Sequence, residues 1–402
     1  MMKKTIFLFV LILSVTAGFA QKGKVSSAQS YKDGGKLDKA VETIEMTIDP
    51  SNEKSEKTLD WPKTWEVRGE IFQAVYQSKD ANIKKLSDNP LAEALKSYKK
   101  ALDLDEKDRN DNSIKIKLTL LISDFTDQAV QAFHDNNYEL ALQSFKQILE
   151  IQDLPLMVDA ENPQAVDTVI IFNAGLAAYN AEKYDEAIKY YEEAAKHDYN
   201  GARTYELISS SYILKQDTVN AVEALQEGFE KYPDNSSIMV QLINIYLNSN
   251  KVDEAMKYLE LAIENDPNNA SFHFARGSLY DKINELDKAV EAYKKAIEIK
   301  EDYADAYYNL GAIYYNKGVK QIEVANDVPT NQPEKFEEEK EKADIEFKKA
   351  LEPMENAAKY AAAANEKDTQ MSALETLKTV YYRLKMMDQF DTVNAKLEEL
   401  QQ

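Results

Sequence analysis

A chain of 402 residues, 44% hydrophobic and 30% charged, is long enough for several folded units and too apolar to be disordered. Its formal charge of −21 argues against nucleic acid and against an anionic membrane surface as partners, since both call for clustered Lys and Arg. The lack of cysteine excludes disulfides, thiolate chemistry and a lipidated Cys, and the presence of only 11 Gly and 10 Pro points to long helices.

The first segment carries two lysines in Met1–Lys4, an apolar run over Thr5–Phe19, and the small residues Gly18 and Ala20. That order is a secretory signal peptide, with cleavage expected between Ala20 and Gln21. The run is shorter than the roughly 20 apolar residues of a spanning helix. Nothing later is apolar enough to span a bilayer. A protein without a membrane span, in the periplasm of a Gram-negative bacterium or secreted beyond it, is expected.

Residues 21–167 show degenerate helix pairs. Tyr31, Ala40 and Ile44 mark a first one. "WEVRGEIF" (Trp65–Phe72) and "LAEALKSYKKALDL" (Leu91–Leu104) form a second, separated by an insertion near 77–90. "NNYELALQSFKQIL" (Asn136–Leu149) belongs to a third, and the stretch with Pro155 and Pro163 after it reads as a loop.

Over residues 168–303 the pattern becomes regular, with four repeats of 34 residues. Ala187, Ala221, Ala255 and Ala289 anchor them. Four positions on stand Tyr191, Leu225, Leu259 and Tyr293, and seven positions on stand Ala194, Gly228, Ala262 and Ala296. Pro233 and Pro267 close two of the repeats. In the preceding helix Gly175, Ser209, Gly277 and Gly311 share a register that only Ile243 breaks, and Tyr212, Tyr246, Tyr280 and Tyr314 share one that only Ala178 breaks. Small residues on both helices predict a close crossing in which Gly277 faces Ala289, near the lower end of the usual ~8–10 Å helix separation.

From residue 304 to 402 the register loosens again. Tyr314 and Ala343 stand 29 apart, where Tyr280 and Ala289 stand 9 apart, so an insertion is expected near 317–342. It reads as a lengthened first helix, a tip near Pro329–Pro333 and a long charged second helix. Within "EKFEEEKEK", Glu338 and Lys342 have the spacing of an exposed helical ion pair. A last pair, about Thr369–Leu400, supplies the polar cap that stacked repeats need.

The 34-residue pattern, above all "YNLGAIYY" (Tyr308–Tyr315) and "DKAVEAYKKAIEI" (Asp287–Ile299), resembles the tetratricopeptide repeat, a helix–turn–helix unit. The resemblance covers nearly all of the mature chain. It implies an all-α, right-handed superhelical solenoid of about nine helix pairs. It also implies a groove, lined by one face of each first helix, that binds a peptide or a partner's helix. Carried over by register, that face presents Phe172, Tyr179 and Asn180, then Arg203 and Ser210, then Val240, Asn244 and Asn248. Phe274, Ser278 and Asp281 follow, and then Tyr308, Asn309, Tyr315 and Asn316. Rings interleaved with amides suit peptide recognition, although Phe172 and Phe274 suit packing between repeats equally well. The family's carboxylate clamp is not expected. Asn173 and Asn309 hold its Asn position, but Leu207, Gln241 and Ala275 fill it between them, and Arg203 stands alone.

Catalysis has little footing in these residues. His134, His197 and His273 belong to no metal or catalytic spacing, and no glycine-rich phosphate loop or GxSxG elbow occurs. Asp108, Asn110 and Asn112 have calcium-loop spacing, but Ser113 and Thr119 replace the required Gly and Glu, so a polar turn before a helix is expected. The expected function is a non-enzymatic, exported scaffold without cofactor or metal. It would bind another protein or peptide through the groove or the insertions, in envelope assembly or secretion. A periplasmic small-ligand or glycan-binding protein is the alternative; such helical-repeat binders are usually lipoproteins, and this chain lacks the Cys.

Overall fold

The computed structural model describes residues 21–106, 109–158 and 166–401. The signal-peptide segment, Asp108 and Pro163 lie outside the described residues. The chain divides into two compact units, Met1–Ala221 and Val222–Gln402. Among the described residues no strand occurs.

In the first unit a helix over residues 21–33 (α1) is followed by α2 (Leu37–Ile48), the short α3 (Glu56–Leu59) and α4 (Pro62–Gln77). The expected insertion between α4 and α6 (Pro90–Asp103) is a loop carrying one turn, α5 (Ala81–Lys84). Then come α7 (Asp111–His134), α8 (Tyr138–Gln152), α9 (Thr168–Asn180), α10 (Tyr184–Lys196) and α11 (Ala202–Leu214). The division between the units falls within α12 (Thr218–Lys231). The second unit continues with α13 (Ser236–Asn248), α14 (Val252–Asn265), α15 (Ala270–Lys282) and α16 (Leu286–Ile299). It ends with α17 (Ala304–Asn326), α18 (Pro333–Ala364), α19 (Lys367–Arg383) and α20 (Met387–Gln401). Within each unit helices pack on their neighbours in chain order.

The turn inside each regular repeat has one construction. Glu182, Gln216, Asn250 and Asn284, spaced by 34, all adopt the left-handed conformation with φ of 59°, 62°, 57° and 61°. The next residue's N–H then reaches back along the chain: Lys183 to the Ala178 carbonyl at 2.9 Å, Asp217 to Tyr212 at 2.9 Å, Lys251 to Tyr246 at 2.8 Å and Glu285 to Tyr280 at 2.8 Å. These bonds satisfy carbonyls that the end of a helix leaves open, and they turn the chain into the second helix. At the start of first helices, the Asn235 side chain accepts from the Ile238 N–H and the Asp167 side chain from the Ile170 N–H.

The helix crossing differs from the sequence expectation. The nearest side chain facing Gly277 is that of Tyr293 rather than Ala289. A methyl group built on Gly277 would lie 2.7 Å from two atoms of the Tyr293 ring, which is fully buried. Gly175 stands in the same relation to Tyr191 at 2.7 Å, and Gly69 to Tyr98 at 2.4 Å. The small residue therefore makes room for a ring seated on the first helix, and the anchor alanine one turn earlier lets the second helix approach. Where the ring becomes Leu259, the facing register position carries the larger Ile243, and both are buried. In the elongated α17–α18 pair the same device occurs twice, with Gly311 beneath Met354 and Gly318 beneath Phe347.

The degenerate repeats around α4 are joined by buried polar groups instead. Arg68, 7% exposed, pairs with Glu45 at 2.8 Å and Glu93 at 2.7 Å, and donates to the Ser97 hydroxyl at 2.7 Å. Glu66, 3% exposed, pairs with Lys63 at 3.0 Å and with Lys117 of α7, and accepts from Ser113 at 2.8 Å. Burial raises the Glu66 carboxyl's pKa, but the hydrogen bonds from Lys117, Ser113 and Lys63 outweigh it and hold the group below its ordinary range. In the candidate calcium loop, residues 111–119 are already helix α7, and the N–H of Asn110 donates to the Asp105 carboxylate at 2.7 Å. This is a turn at a helix entrance. In α18, Glu338 and Lys342 pair at 2.9 Å on an exposed face, as their spacing suggests.

Candidate functional site

In the first unit, α9 and α11 supply the candidate residues. Phe172 is 7% exposed and packs between Tyr191 and Tyr199, with ring centroids 5.5 and 5.4 Å away. Its ring is an internal wedge and offers no surface to a ligand. Tyr179 is half-buried, edge-on to Tyr184 at 6.0 Å. Asn180 is exposed, although its amide donates to the Leu176 carbonyl at 2.8 Å. Arg203 extends into solvent and pairs with the buried Glu206 at 2.9 Å, and Ser210 is half-buried.

In the second unit the three first helices α13, α15 and α17 carry the rest. Val240, Asn244 and Asn248 of α13 are exposed, as is Asn316 of α17. Phe274 is held between Tyr293 at 5.7 Å and Tyr303 at 5.1 Å, repeating the packing of Phe172. Tyr308 is half-buried against the core formed by Met354, Leu374 and Leu377. Tyr315 is half-buried with its ring edge-on to Phe347 at 5.6 Å. Both tyrosines thus serve packing first. The long α18 of the insertion covers them, a contact that spacing along the chain did not disclose.

The structure joins three polar groups that sequence reasoning left separate. The Asn309 amide donates to the Tyr293 hydroxyl at 3.3 Å, and that hydroxyl donates to the Ser278 hydroxyl at 3.2 Å. Ser278 in turn donates to the Phe274 carbonyl at 3.2 Å. Tyr293 stands on a second helix, so its hydroxyl links the first helices α15 and α17 from below. Burial raises the Tyr293 pKa, and the charge of Asp281 adds to the effect. The signal for this chain was present: Tyr stands at 293, Ser at 278 and Asn at 309, where the register positions 102 residues earlier hold Tyr191, Leu176 and Leu207. There the buried Tyr191 hydroxyl has no hydrogen-bond partner among the described residues.

The exposed asparagines can each offer a donor and an acceptor to an extended backbone. Among the described residues no group of three or more His, Cys, Asp and Glu is placed to hold a metal ion. No helix among them is long and apolar enough to cross a membrane.

Three family models match the chain, a TPR repeat over residues 279–318 and tetratricopeptide repeats over residues 212–279 and 172–236. No curated protein sequence matches it. Among solved structures, MamA protein is 26% identical over 48% of this chain and 94% of its own, with a TM-score of 0.34. YrrB, described as a TPR protein with an unusual peptide-binding site, is 21% identical over 46% of this chain and 88% of its own, with a TM-score of 0.34. The C-terminal part of a TPR repeat-containing protein from Cytophaga hutchinsonii is 17% identical over 68% of this chain and 93% of its own, with a TM-score of 0.48. Residues 172–318, matched by family models and folded as successive helix pairs with a recurring turn, are tetratricopeptide repeats, and the chain is a tetratricopeptide-repeat protein.

Proposed function

We propose that this chain is an exported, non-enzymatic scaffold that holds a peptide or a segment of a partner protein on the first-helix face of its repeats. The observation that carries it is the set Val240, Asn244, Asn248 and Asn316, exposed on α13 and α17 beside half-buried rings. Amides flanked by apolar area suit an extended backbone, which needs hydrogen bonds along its length and contact area at its side chains. Envelope assembly and secretion are the settings that fit a signal peptide on such a scaffold.

Capture of proteins from envelope extract on the immobilised chain, read by mass spectrometry, tests the scaffold. An N244R/N248R/N316R variant is the control, because these three side chains are exposed. Alanine at Tyr308 and Tyr315 would disturb the core and confound the comparison. A protein held by wild type and released by the triple variant is expected, and equal capture by both would remove this face from the function. Export is tested separately by N-terminal sequencing of protein from fractionated cells. Gln21 as the first residue is expected, and an intact Met1 in the cytoplasm would overturn it.

A further inference from the structure

Helix α1 opens on Gln21, the residue that cleavage after Ala20 leaves at the head of the mature chain. Gln21 stands on the inward stripe of this helix, with Val25 and Ala28 one and two turns further on, and all three are buried. Val25 and Ala28 belong to the core that α1 shares with Ala40 and Ile44 of α2 and with Val67 and Ile71 of α4. The side-chain oxygen of Gln21 is buried and has no hydrogen-bond partner among the described residues. Beside it, the Lys22 ammonium lies over the Trp61 ring, 4.8 Å from the centroid, and Lys24 follows within the same turn.

A new N-terminus at this position places charge where the fold does not favour it. An α-amine is protonated at neutral pH. The first residue of a helix lies at the positive end of the helix dipole, where a cation is unfavourable. Lys22 and Lys24 already bring two positive charges to that turn. The next side chains on the inward stripe, Val25 and Ala28, can accept no hydrogen bond from an ammonium. Glutamine has a way out that the other amide side chain lacks. Its amide carbon is at the right distance to close a five-membered ring on its own α-nitrogen, whereas asparagine would have to close a strained four-membered one.

We infer that Gln21, once freed by cleavage, cyclises to pyroglutamate, and that α1 packs with this neutral ring at its head. This rests on the export proposed above and adds a covalent step to it. The α-nitrogen attacks the side-chain carbon Cδ. The N–Cδ bond forms, the Cδ–Nε2 bond breaks, and Nε2 leaves as ammonia with the proton that the amine gives up. A lactam remains, and the step needs no oxidant, reductant or second substrate. The ring closes before α1 docks, while the side chain can still fold back on its own amine. The product removes the cation from the start of α1 and denies aminopeptidases the free amine they require.

The test is the intact mass of the protein purified from fractionated source cells, with tandem mass spectrometry of its N-terminal chymotryptic peptide, Gln21–Tyr31. The expected mass is that of Gln21–Gln402 less one ammonia. Pyroglutamyl aminopeptidase should then release residue 21 and expose Lys22. Gln21→Glu, whose carboxylate is a far poorer electrophile, should be exported and cleaved alike but keep its free amine. A chain that begins at Gln21 with a free amine and no loss of ammonia would overturn the inference and leave export standing. An intact Met1 would overturn both. The packing is tested on one sequence in two forms, the chain with free Gln21 before and after treatment with a glutaminyl cyclase. The cyclised form should unfold at a higher urea concentration, and equal midpoints would overturn the claim that α1 favours the neutral ring.

Discussion

Replacing Gly277 by Ala adds one methyl group at the point where α15 meets the Tyr293 ring. That methyl would lie 2.7 Å from ring atoms Cδ1 and Cε1, well inside contact distance, and Tyr293 is fully buried. Overpacking of this kind costs about 1–3 kcal/mol. Against it, Ala in place of Gly in a helix interior contributes about 1 kcal/mol. The net expectation is a loss of up to about 2 kcal/mol, read as a lower midpoint in urea unfolding. The decisive comparison is G277A in a Y293L background, where the ring is gone and a branched aliphatic chain takes its place, as Leu259 does opposite Ile243. There the helix-propensity gain should appear alone, so G277A should stabilise by about 1 kcal/mol relative to Y293L. A coupling energy of about 1–3 kcal/mol between the two sites follows. If G277A stabilises both backgrounds equally, the Gly277–Tyr293 contact does not set the crossing of α15 and α16, and a methyl group is tolerated there without strain.

Two related tyrosines should respond in opposite directions to loss of a hydroxyl. Tyr293→Phe breaks the links to Ser278 and Asn309 and should cost about 1 kcal/mol. Tyr191→Phe removes a buried hydroxyl that has no partner among the described residues, and should be neutral or stabilising by up to about 1–3 kcal/mol. Urea unfolding of both variants checks this, and equal destabilisation would contradict it. In the first unit, Glu66 has a folded-state pKa below its ordinary value of 4.5. Its contribution to stability is therefore present above that value and is lost as pH falls through the folded-state pKa. Stability measured from about pH 7 down to about pH 3 should fall less steeply in Glu66→Gln than in wild type. Parallel slopes would show that the Lys117–Glu66–Lys63 cluster is not coupled to folding.

The regular repeats were legible because their physics is local. A step of 34 with alanine, a large residue and a small residue on one helical stripe can satisfy only one kind of helix pair. The elongated α17–α18 pair was legible for the same reason, from the distance between Tyr314 and Ala343. The partner of Gly277 was not, because a helix crossing depends on how far each helix is rotated, and that is set by all the side chains in the contact. The candidate site suffered in the same way. Register put Phe172, Phe274, Tyr308 and Tyr315 on the first-helix face, whereas rings from second helices, loops and α18 draw them inward.

By itself, the sequence determined that the chain is helical, that it repeats, where the repeat is interrupted and which residues stand on each stripe. Those properties follow from periodicity and from the conformational preferences of neighbouring residues. Only the tertiary structure decided which small residue seats which ring, that α4 is tied in by the buried Arg68 and Glu66, and that Asn309, Tyr293 and Ser278 form one chain. Each of these joins residues from different helices. Their contact depends on packing distances of a few ångströms, which no spacing along a single chain encodes.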